Sequence, residues 1–431
     1  VSIIGMPGQG KTTLAKKVYN HPSICYHFIQ CVWCCVSQEY EYRSALLEML
    51  CNVTELSRHD SSEMSNDELA NRLRKCLIGR SYLIVMDDIW DIRPWSELKG
   101  SFPDNNNGSR ILFTSRIQKL SWQDECKCYF HTLRPFHEEE CWQLLKQKTF
   151  HKDECPQDLV EVGMEIARKC KGLPLSIVLV AGILSRSKNS LYWWKQIARS
   201  LSSSHPIDGS MDILELSYRH IPDHLKPCFL YFGAFAEGQN IRARKMTLLW
   251  ISEGFIRTTD QRRLEDVAME YLMDLVNHSL VIVSERSSDG GIKGCQVHNL
   301  LREFCIMKAK EEKFLQLIYQ YDFDKDPSDG RDIDMHRLCF HGSLFYFADS
   351  HRICSPVHSI IFAYGMEFVD YCFFRTFRLL KVLDMERLYL KGSDLDALML
   401  LVHLRYLAIS GSIRRLPSSI ANLWNLETLI V

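Results

Sequence analysis

The sequence predicts a doubly wound α/β domain with a parallel sheet, a mainly helical region after it, and a repetitive, strand-forming C-terminal stretch. Three observations carry that expectation. The first third alternates short β-rich runs with helical segments, the pattern of a parallel sheet covered by helices. The middle drops the alternation and places apolar residues at three- and four-residue steps. The end repeats a leucine pattern at spacings of 24 and 22 residues, within the range of a repeat solenoid.

The elements follow in order. Strands are expected at Val1–Gly5, Ile29–Ser37, Tyr82–Met86, Arg110–Thr114 and Tyr129–Leu133. The runs near Tyr82 and Arg110 are almost continuously apolar, as for strands buried on both faces. Helices are expected between them, for example at Lys11–Tyr19 and Asn66–Ile78, giving a first domain over 1–134. A helical domain over 135–210 contains ECWQLLKQKTF and LVEVGMEIARKC. The block 211–318 is mostly helical but carries a β-rich insert at Leu280–Glu285, a turn at Gly290–Gly291 and a short strand at Gly294–Val297, which reads as a winged helix. An acidic, turn-rich stretch, YDFDKDPSDGRDID, makes 319–356 a linker. In 357–431 the repeats align Leu380, Leu404 and Leu426, then Leu383, Leu407 and Leu429, then Met385, Ile409 and Val431. The first residue falls inside a strand and the last strand lacks a cap, so a longer parent chain is expected.

Bulk properties exclude several classes. With 431 residues, several domains are expected, and 46% hydrophobic with 24% charged residues is ordinary for globular protein. A net charge of -1 argues against coating nucleic acid or anionic membrane through an overall field. The 17 cysteines are scattered and often sit in apolar runs, which reads as reduced thiols rather than a disulfide framework. The longest apolar run, Leu173–Leu184, has the length of a core helix and not of a membrane span.

The chemistry is concentrated in three segments. GMPGQGKT matches the Walker A pattern, with Gly5, Gly10, Lys11 and Thr12 in place between a strand and a helix. Glycines there let backbone N–H groups converge on phosphate oxygens, and the following helix adds its positive end. Lys11 is expected to neutralise the β- and γ-phosphates, and the Thr12 hydroxyl to coordinate Mg2+. YLIVMDDIW ends a buried strand in two acids, Asp87 as the expected Mg2+ partner and Asp88 placed to polarise a water. Together these make the first domain an α/β P-loop NTPase fold. SRILFTSR ends another strand at Thr114, Ser115 and Arg116. An arginine at that strand end can read a γ-phosphate, and an ordinary surface arginine fits the position equally well.

Two weaker signals are discounted. Cys31 and Cys34 have CxxC spacing but lie in an apolar strand without a second Cys/His pair, which favours core cysteines over a metal site. RARK at Arg242–Lys245 reads as a solvated helix face rather than a DNA contact, because no basic stripe supports it.

Taken in order, GMPGQGKTT, CVWCCVSQ, YLIVMDDIW, GSRILFTSR, GLPL, CFLYFGAF, VHNLLREF and the leucine repeats resemble the plant intracellular NB-ARC leucine-rich-repeat immune receptors. The resemblance covers Val1 to Val431 and is best with the coiled-coil class, particularly late blight resistance homologues. Trp90, closing the Walker B segment, is typical of the non-TIR branch. The resemblance implies that Gly8, Gly10, Lys11, Thr12 and Thr13 hold the phosphates of ADP or ATP. It implies that Asp87 and Asp88 serve Mg2+ and hydrolysis, that Arg116 is the γ-phosphate sensor, and that Pro174 of GLPL packs against adenine. His298, at the place of the family's Met-His-Asp histidine, would touch the ADP phosphate and close the resting state.

The implied function is a switch of innate immunity, ADP-bound at rest and ATP-bound when active, with slow ATPase activity. Its implied partners are a pathogen effector or guarded host protein, an N-terminal signalling domain and the repeats of its own chain, and further copies of itself on activation. The implied location is cytoplasmic, becoming peripheral to membrane or nuclear on activation. The sequence departs from the family at Val297-His298-Asn299, where asparagine replaces aspartate. Asparagine caps a helix about as well as aspartate, so the expected change is a lost negative charge that loosens the resting lock. The cysteine-rich CVWCCVS is a second departure, with no functional meaning assigned. No nucleophile–base pair or acceptor motif accompanies the P-loop, which favours a switch over a metabolic enzyme. The alternatives are a nucleotide-regulated DNA-binding transcription regulator using the winged helix, and a scaffold that does not hydrolyse nucleotide.

Overall fold

The computed structural model describes residues 1–36, 40–54, 64–104, 106–116, 129–151, 153–187, 190–201, 209–257, 262–319, 335–341, 357–363, 377–390, 395–411 and 416–431. They form two compact units, Val1–Gly209 and Ser210–Val431.

In the first unit five parallel strands, β1 (Ser2–Ile4), β2 (Gln30–Cys35), β3 (Tyr82–Ile89), β4 (Arg110–Ser115) and β5 (Phe130–Thr132), lie in the order β2-β3-β4-β1-β5. Helices α1 (Lys11–Tyr19), α2 (Pro22–His27), α3 (Tyr42–Val53), α4 (Asn66–Leu77) and α5 (Arg93–Leu98) occur between them. All eight residues of β3 are buried, because each face meets its own apolar layer. Leu83 and Val85 pack with Ile3, Ala15 and Leu112, whereas Tyr82, Ile84 and Met86 pack with Leu46, Met49, Leu69 and Leu73 from α3 and α4. The strand runs past the expected end at Met86 to Ile89, so both acids sit inside it. A reciprocal Ser65–Glu68 capping box opens α4.

Beyond β5 the first unit is helical: α6 (Glu138–Phe150), α7 (Val160–Lys169), α8 (Pro174–Leu184) and α9 (Leu191–Ser200). Most of α8 is buried, as its apolar sequence predicts. Among the described residues no helix is long and apolar enough to cross a membrane.

The second unit begins with α10 (Gly209–His220), α11 (Lys226–Leu230), β6 (Ile241–Arg242), α12 (Ala243–Glu253), α13 (Leu264–Asn277), β7 (Ile282–Arg286), β8 (Ile292–Gln296) and α14 (Asn299–Glu311). The three strands form an antiparallel sheet in the order β6-β8-β7, the wing of a winged helix. The two-residue β6 is too short to leave a period in the sequence.

A second sheet follows, with β9 (Gln316–Ile318), β10 (Arg337–Phe340), β11 (Ser359–Phe362), β12 (Val382–Leu390), β13 (Tyr406–Gly411) and β14 (Thr428–Ile430) parallel and adjacent in chain order. Neighbours that follow one another along the chain are the topology of a solenoid. Leu383 pairs with Leu407 and Leu407 with Leu429, and Met385 pairs with Ile409, the alignment the repeats predict. The span 319–356 was expected to be a linker; most of it, including the acidic stretch 321–334, lies outside the described residues, but Arg337–Phe340 within it is a strand. That strand contributes only Leu338 and Phe340 to the core, too few residues for a repeat to show in sequence.

One face of this sheet is the unit's apolar core, with Ile360, Phe362, Leu383, Met385, Leu407 and Ile409. Ser359, Ile361, Val382, Asp384, Tyr406 and Ala408, alternating with those residues, are buried too. Helix α12 packs against β12 and β13. The expectation of a wholly solvated RARK face therefore fails at Lys245. Arg242 and Arg244 are exposed, but Lys245 Nζ lies 2.6 Å from Asp384 Oδ2 and 2.7 Å from Glu386 Oε2. The partners come from residues 139 or more positions away, which local sequence cannot reveal.

Candidate functional site

The site residues of the first unit gather at the carboxyl ends of β1, β3 and β4, where ligands bind in open parallel sheets. The loop after β1 turns on two glycines in the left-handed region, Gly8 at φ 74° and Gly10 at φ 93°, which suit glycine for lack of a Cβ. A Cβ on Gly10 would meet no atom within 4 Å, so the space above it is open. Helix α1 starts at Lys11 with no side-chain cap, leaving its first N–H groups directed toward the loop. Thr12 is half-buried and Thr13 exposed.

Lys11 is buried, and its Nζ donates to the carbonyls of Gly5 at 2.8 Å and Met6 at 3.0 Å. Burial lowers its pKa from 10.5 to about 8, against the opposing charges of Asp88 and Asp87. A buried ammonium held by neutral dipoles fits an anion, and the open loop above Gly10 fits a phosphate.

The Walker B acids occupy different surroundings. Asp87 Oδ1 accepts from Thr12 Oγ1 at 2.9 Å and from Thr114 Oγ1 at 2.5 Å, while burial pushes its pKa above the ordinary value. Asp88 is in the left-handed region at φ 59°, and its N–H donates to Thr114 Oγ1 at 2.7 Å. Thr114 thus fixes both acids. The Thr12 hydroxyl and Asp87 carboxylate are hard oxygen donors that suit Mg2+, which takes few carboxylates and completes its shell with phosphate and water. Among the described residues no cluster of three His, Cys, Asp or Glu side chains could hold a metal by itself.

Arg116 departs from the surface-arginine alternative. Its side chain is 15% exposed, Nη2 lies 3.3 Å from Asp88 Oδ2, and the guanidinium carbon is 4.1 Å from the Trp90 ring centroid. Pro174 opens α8, and the adjacent Leu175 N–H donates to Gly8 O at 3.2 Å, so the GLPL segment braces the phosphate loop directly. Gly172 in that segment has φ 73°, and a Cβ there would lie 2.7 Å from Phe136 O. Sequence reasoning missed Gln9, whose Oε1 accepts from Met6 N–H at 2.6 Å and stiffens the loop from inside. It also missed the double role of Thr114.

Cys31 and Cys34 are three apart on β2, so they face opposite sides of the sheet and cannot share one ion. His298 is carried by the second unit, as the cap of α14: its Nδ1 accepts from Leu300 N–H at 3.2 Å. The expectation that residue 299 caps this helix is therefore corrected, since Asn299 is already the first helical residue. Histidine wins the cap because its backbone is extended while that of Asn299 is helical. With Nδ1 accepting, a neutral ring carries its proton on Nε2.

Comparison with known proteins adds family-level findings. The profile of the NB-ARC domain matches residues 1–155, and that of the disease resistance protein winged helix domain matches residues 234–305. The chain is 41% identical over 447 aligned positions to the late blight resistance protein homologue R1B-14 of Solanum demissum, covering 100% of this chain and 33% of that protein. It is 40% identical to the late blight resistance protein R1-A of the same species, covering 100% of this chain and 34% of that one. The chain thus spans about a third of the length of these relatives. Among solved structures, a signal transduction ATPase with a tetratricopeptide repeat sensor from Pyrococcus horikoshii has a TM-score of 0.46 at 16% identity, over 72% of this chain and 41% of that one, too distant to carry an argument. The chain thus carries an NB-ARC domain followed by a disease resistance protein winged helix domain, and along its whole length it is about 40% identical to late blight resistance proteins of Solanum demissum.

Proposed function

We propose that the chain is the nucleotide-operated core of a plant immune switch, holding ADP with Mg2+ at rest and ATP with Mg2+ when active. The observation that carries this reading is the Asp88–Arg116 ion pair beside Lys11 and the Thr12–Asp87 hydrogen bond, side chains of the types that phosphate and Mg2+ require at one sheet edge. Lys11 supplies the charge for the β- and γ-phosphates, Thr12 and Asp87 hold the metal, and Gly8, Gly10 and Thr13 line the loop. Bound Mg2+ supplies neutralisation of phosphate charge. Asp88 orients the water for slow hydrolysis, Arg116 reports the terminal phosphate, and Pro174 bears on the adenine.

The energetics suit a switch. Moving a two-state protein from 1:99 to 99:1 takes about 5.5 kcal/mol of differential binding. A charge-assisted hydrogen bond contributes roughly 1.5–3 kcal/mol, so two or three contacts made in one nucleotide state suffice. His298 would be the histidine that touches the ADP phosphate in the resting state. We further propose activation in the cytoplasm by a pathogen effector or guarded host protein, followed by self-association; the relatives' names, late blight resistance proteins, support the link to pathogen resistance.

Equilibrium binding of ADP and of the slowly hydrolysed analogue ATPγS, with Mg2+, tests the proposal. The 431-residue chain should bind both, and Lys11→Ala should weaken both by roughly 10- to 100-fold, the fold-change of one lost charge-assisted contact. A parent chain that binds neither nucleotide overturns the reading.

A further inference from the structure

Trp90 follows Ile89 at the end of β3, and Arg116 follows Ser115 at the end of β4. Ile89 and Ser115 are partners across the parallel ladder, so Trp90 and Arg116 leave the sheet side by side at its carboxyl edge. There the guanidinium carbon lies 4.1 Å from the ring centroid, and Nη2 lies 3.3 Å from Asp88 Oδ2. Among the described residues the indole N–H is buried without a hydrogen-bond partner, so packing and the guanidinium orient the ring.

We infer that Trp90 is a positioning residue for Arg116: the indole face holds the guanidinium flat beside Asp88, and the discrimination of ATP from ADP depends on that stack. The inference rests on the nucleotide-switch reading above and deepens it. An arginine side chain has much rotamer freedom to lose before it can read a phosphate. Stacking removes that freedom in advance, so less of the binding energy goes to ordering the side chain. Tryptophan is the best aromatic for the purpose because its ring has the strongest electrostatic attraction for a cation. Asp88 gives the guanidinium a second fixed contact, and its own backbone is pinned by Thr114 Oγ1. The three groups come from the neighbouring carboxyl ends of β3 and β4, so the sheet register brings them together.

The test measures binding of ADP and ATPγS, with Mg2+, to the 431-residue chain carrying Trp90→Leu, Trp90→Phe, Arg116→Ala, or Trp90→Leu with Arg116→Ala. Trp90→Leu should lose affinity for ATPγS about tenfold more than for ADP, and Trp90→Phe should recover most of that ratio because a π-face remains. In the Arg116→Ala background Trp90→Leu should change the ratio no further, the non-additivity expected of a residue acting through another. Tryptophan emission gives a second readout: ATPγS and ADP should change it differently in the parent, and the difference should vanish in Trp90→Phe. Equal losses for both nucleotides, or an unchanged effect of Trp90→Leu without Arg116, would overturn the inference while leaving the switch reading intact. A parent that binds neither nucleotide removes both. Should Trp90→Leu fail to fold, Arg116→Ala decides through the emission of Trp90, read as the difference between chains with and without Trp90→Phe: it should shift when the guanidinium is removed, and an unchanged emission sinks the proposed stack.

Discussion

Lys11 shows what burial does to a single functional group. Its ammonium is the form that meets phosphate, and burial brings its pKa to about 8, so the charge is lost as pH rises through that value. ADP affinity should therefore fall about tenfold between pH 7 and pH 9, because a bound phosphate must first restore the proton. Lys11→Arg should flatten the profile, since guanidinium stays charged throughout. Stability without nucleotide runs the other way. The unfolded lysine keeps its ordinary 10.5 and binds more protons between about 8 and 10.5, so folding is favoured as pH rises across that window. Titrating the ADP dissociation constant from pH 7 to 9.5 checks the claim, and a flat parent profile contradicts it. Lys11, Thr12, Asp87 and Asp88 were legible in sequence because phosphate and Mg2+ chemistry restricts residue type at fixed spacing. Gln9 was not, because that position of the Walker A pattern accepts any residue. Its role appears only in the folded loop, where a Cβ on Gly5 would lie 2.5 Å from Gln9 Oε1.

Elements were legible where burial leaves a long signal. The apolar runs of β3 and α8 and the period of α1 announce themselves, whereas β6 and β10 are too short to carry one. The turn into α8 sits between these cases: GLPL is recognisable as a motif, but its mechanical role comes from the Leu175 N–H on Gly8 O. Gly172 makes that turn, at φ 73° and with Phe136 O 2.7 Å from any added Cβ. Gly172→Ala should cost about 2 kcal/mol or more, from the left-handed backbone and the contact together. For a unit of this size that is a fall in Tm of roughly 4–8 °C. Because α8 holds the phosphate loop, nucleotide affinity should fall in the same variant. Thermal unfolding with and without ADP measures both effects, and an unchanged Tm would show that the turn relaxes freely.

At the scale of the molecule, the second unit joins a winged helix to a parallel sheet through charge as well as apolar contact. Lys245 reaches from α12 to Asp384 on β12, and Asp384 is 1% exposed. Burial pushes the Asp384 carboxyl above its ordinary pKa even with Lys245 beside it. Removing the lysine leaves a buried charge without its partner, which typically costs about 3–5 kcal/mol. Lys245→Met should therefore lower the Tm of this unit by roughly 6–20 °C at pH 8. The loss should shrink in acid. Without Lys245 the folded carboxyl titrates higher still, while the unfolded one stays near 3.8; the penalty is present above the folded value and fades as pH falls through it. Adding Asp384→Leu to Lys245→Met should restore much of the stability, since an apolar pair of similar volume can replace a buried ion pair. Melting curves at pH 5 and pH 8 separate these outcomes. Equal losses for the single variant at both pH values would mean that Asp384 is already neutral, and that the contact of α12 with the sheet is held by packing alone.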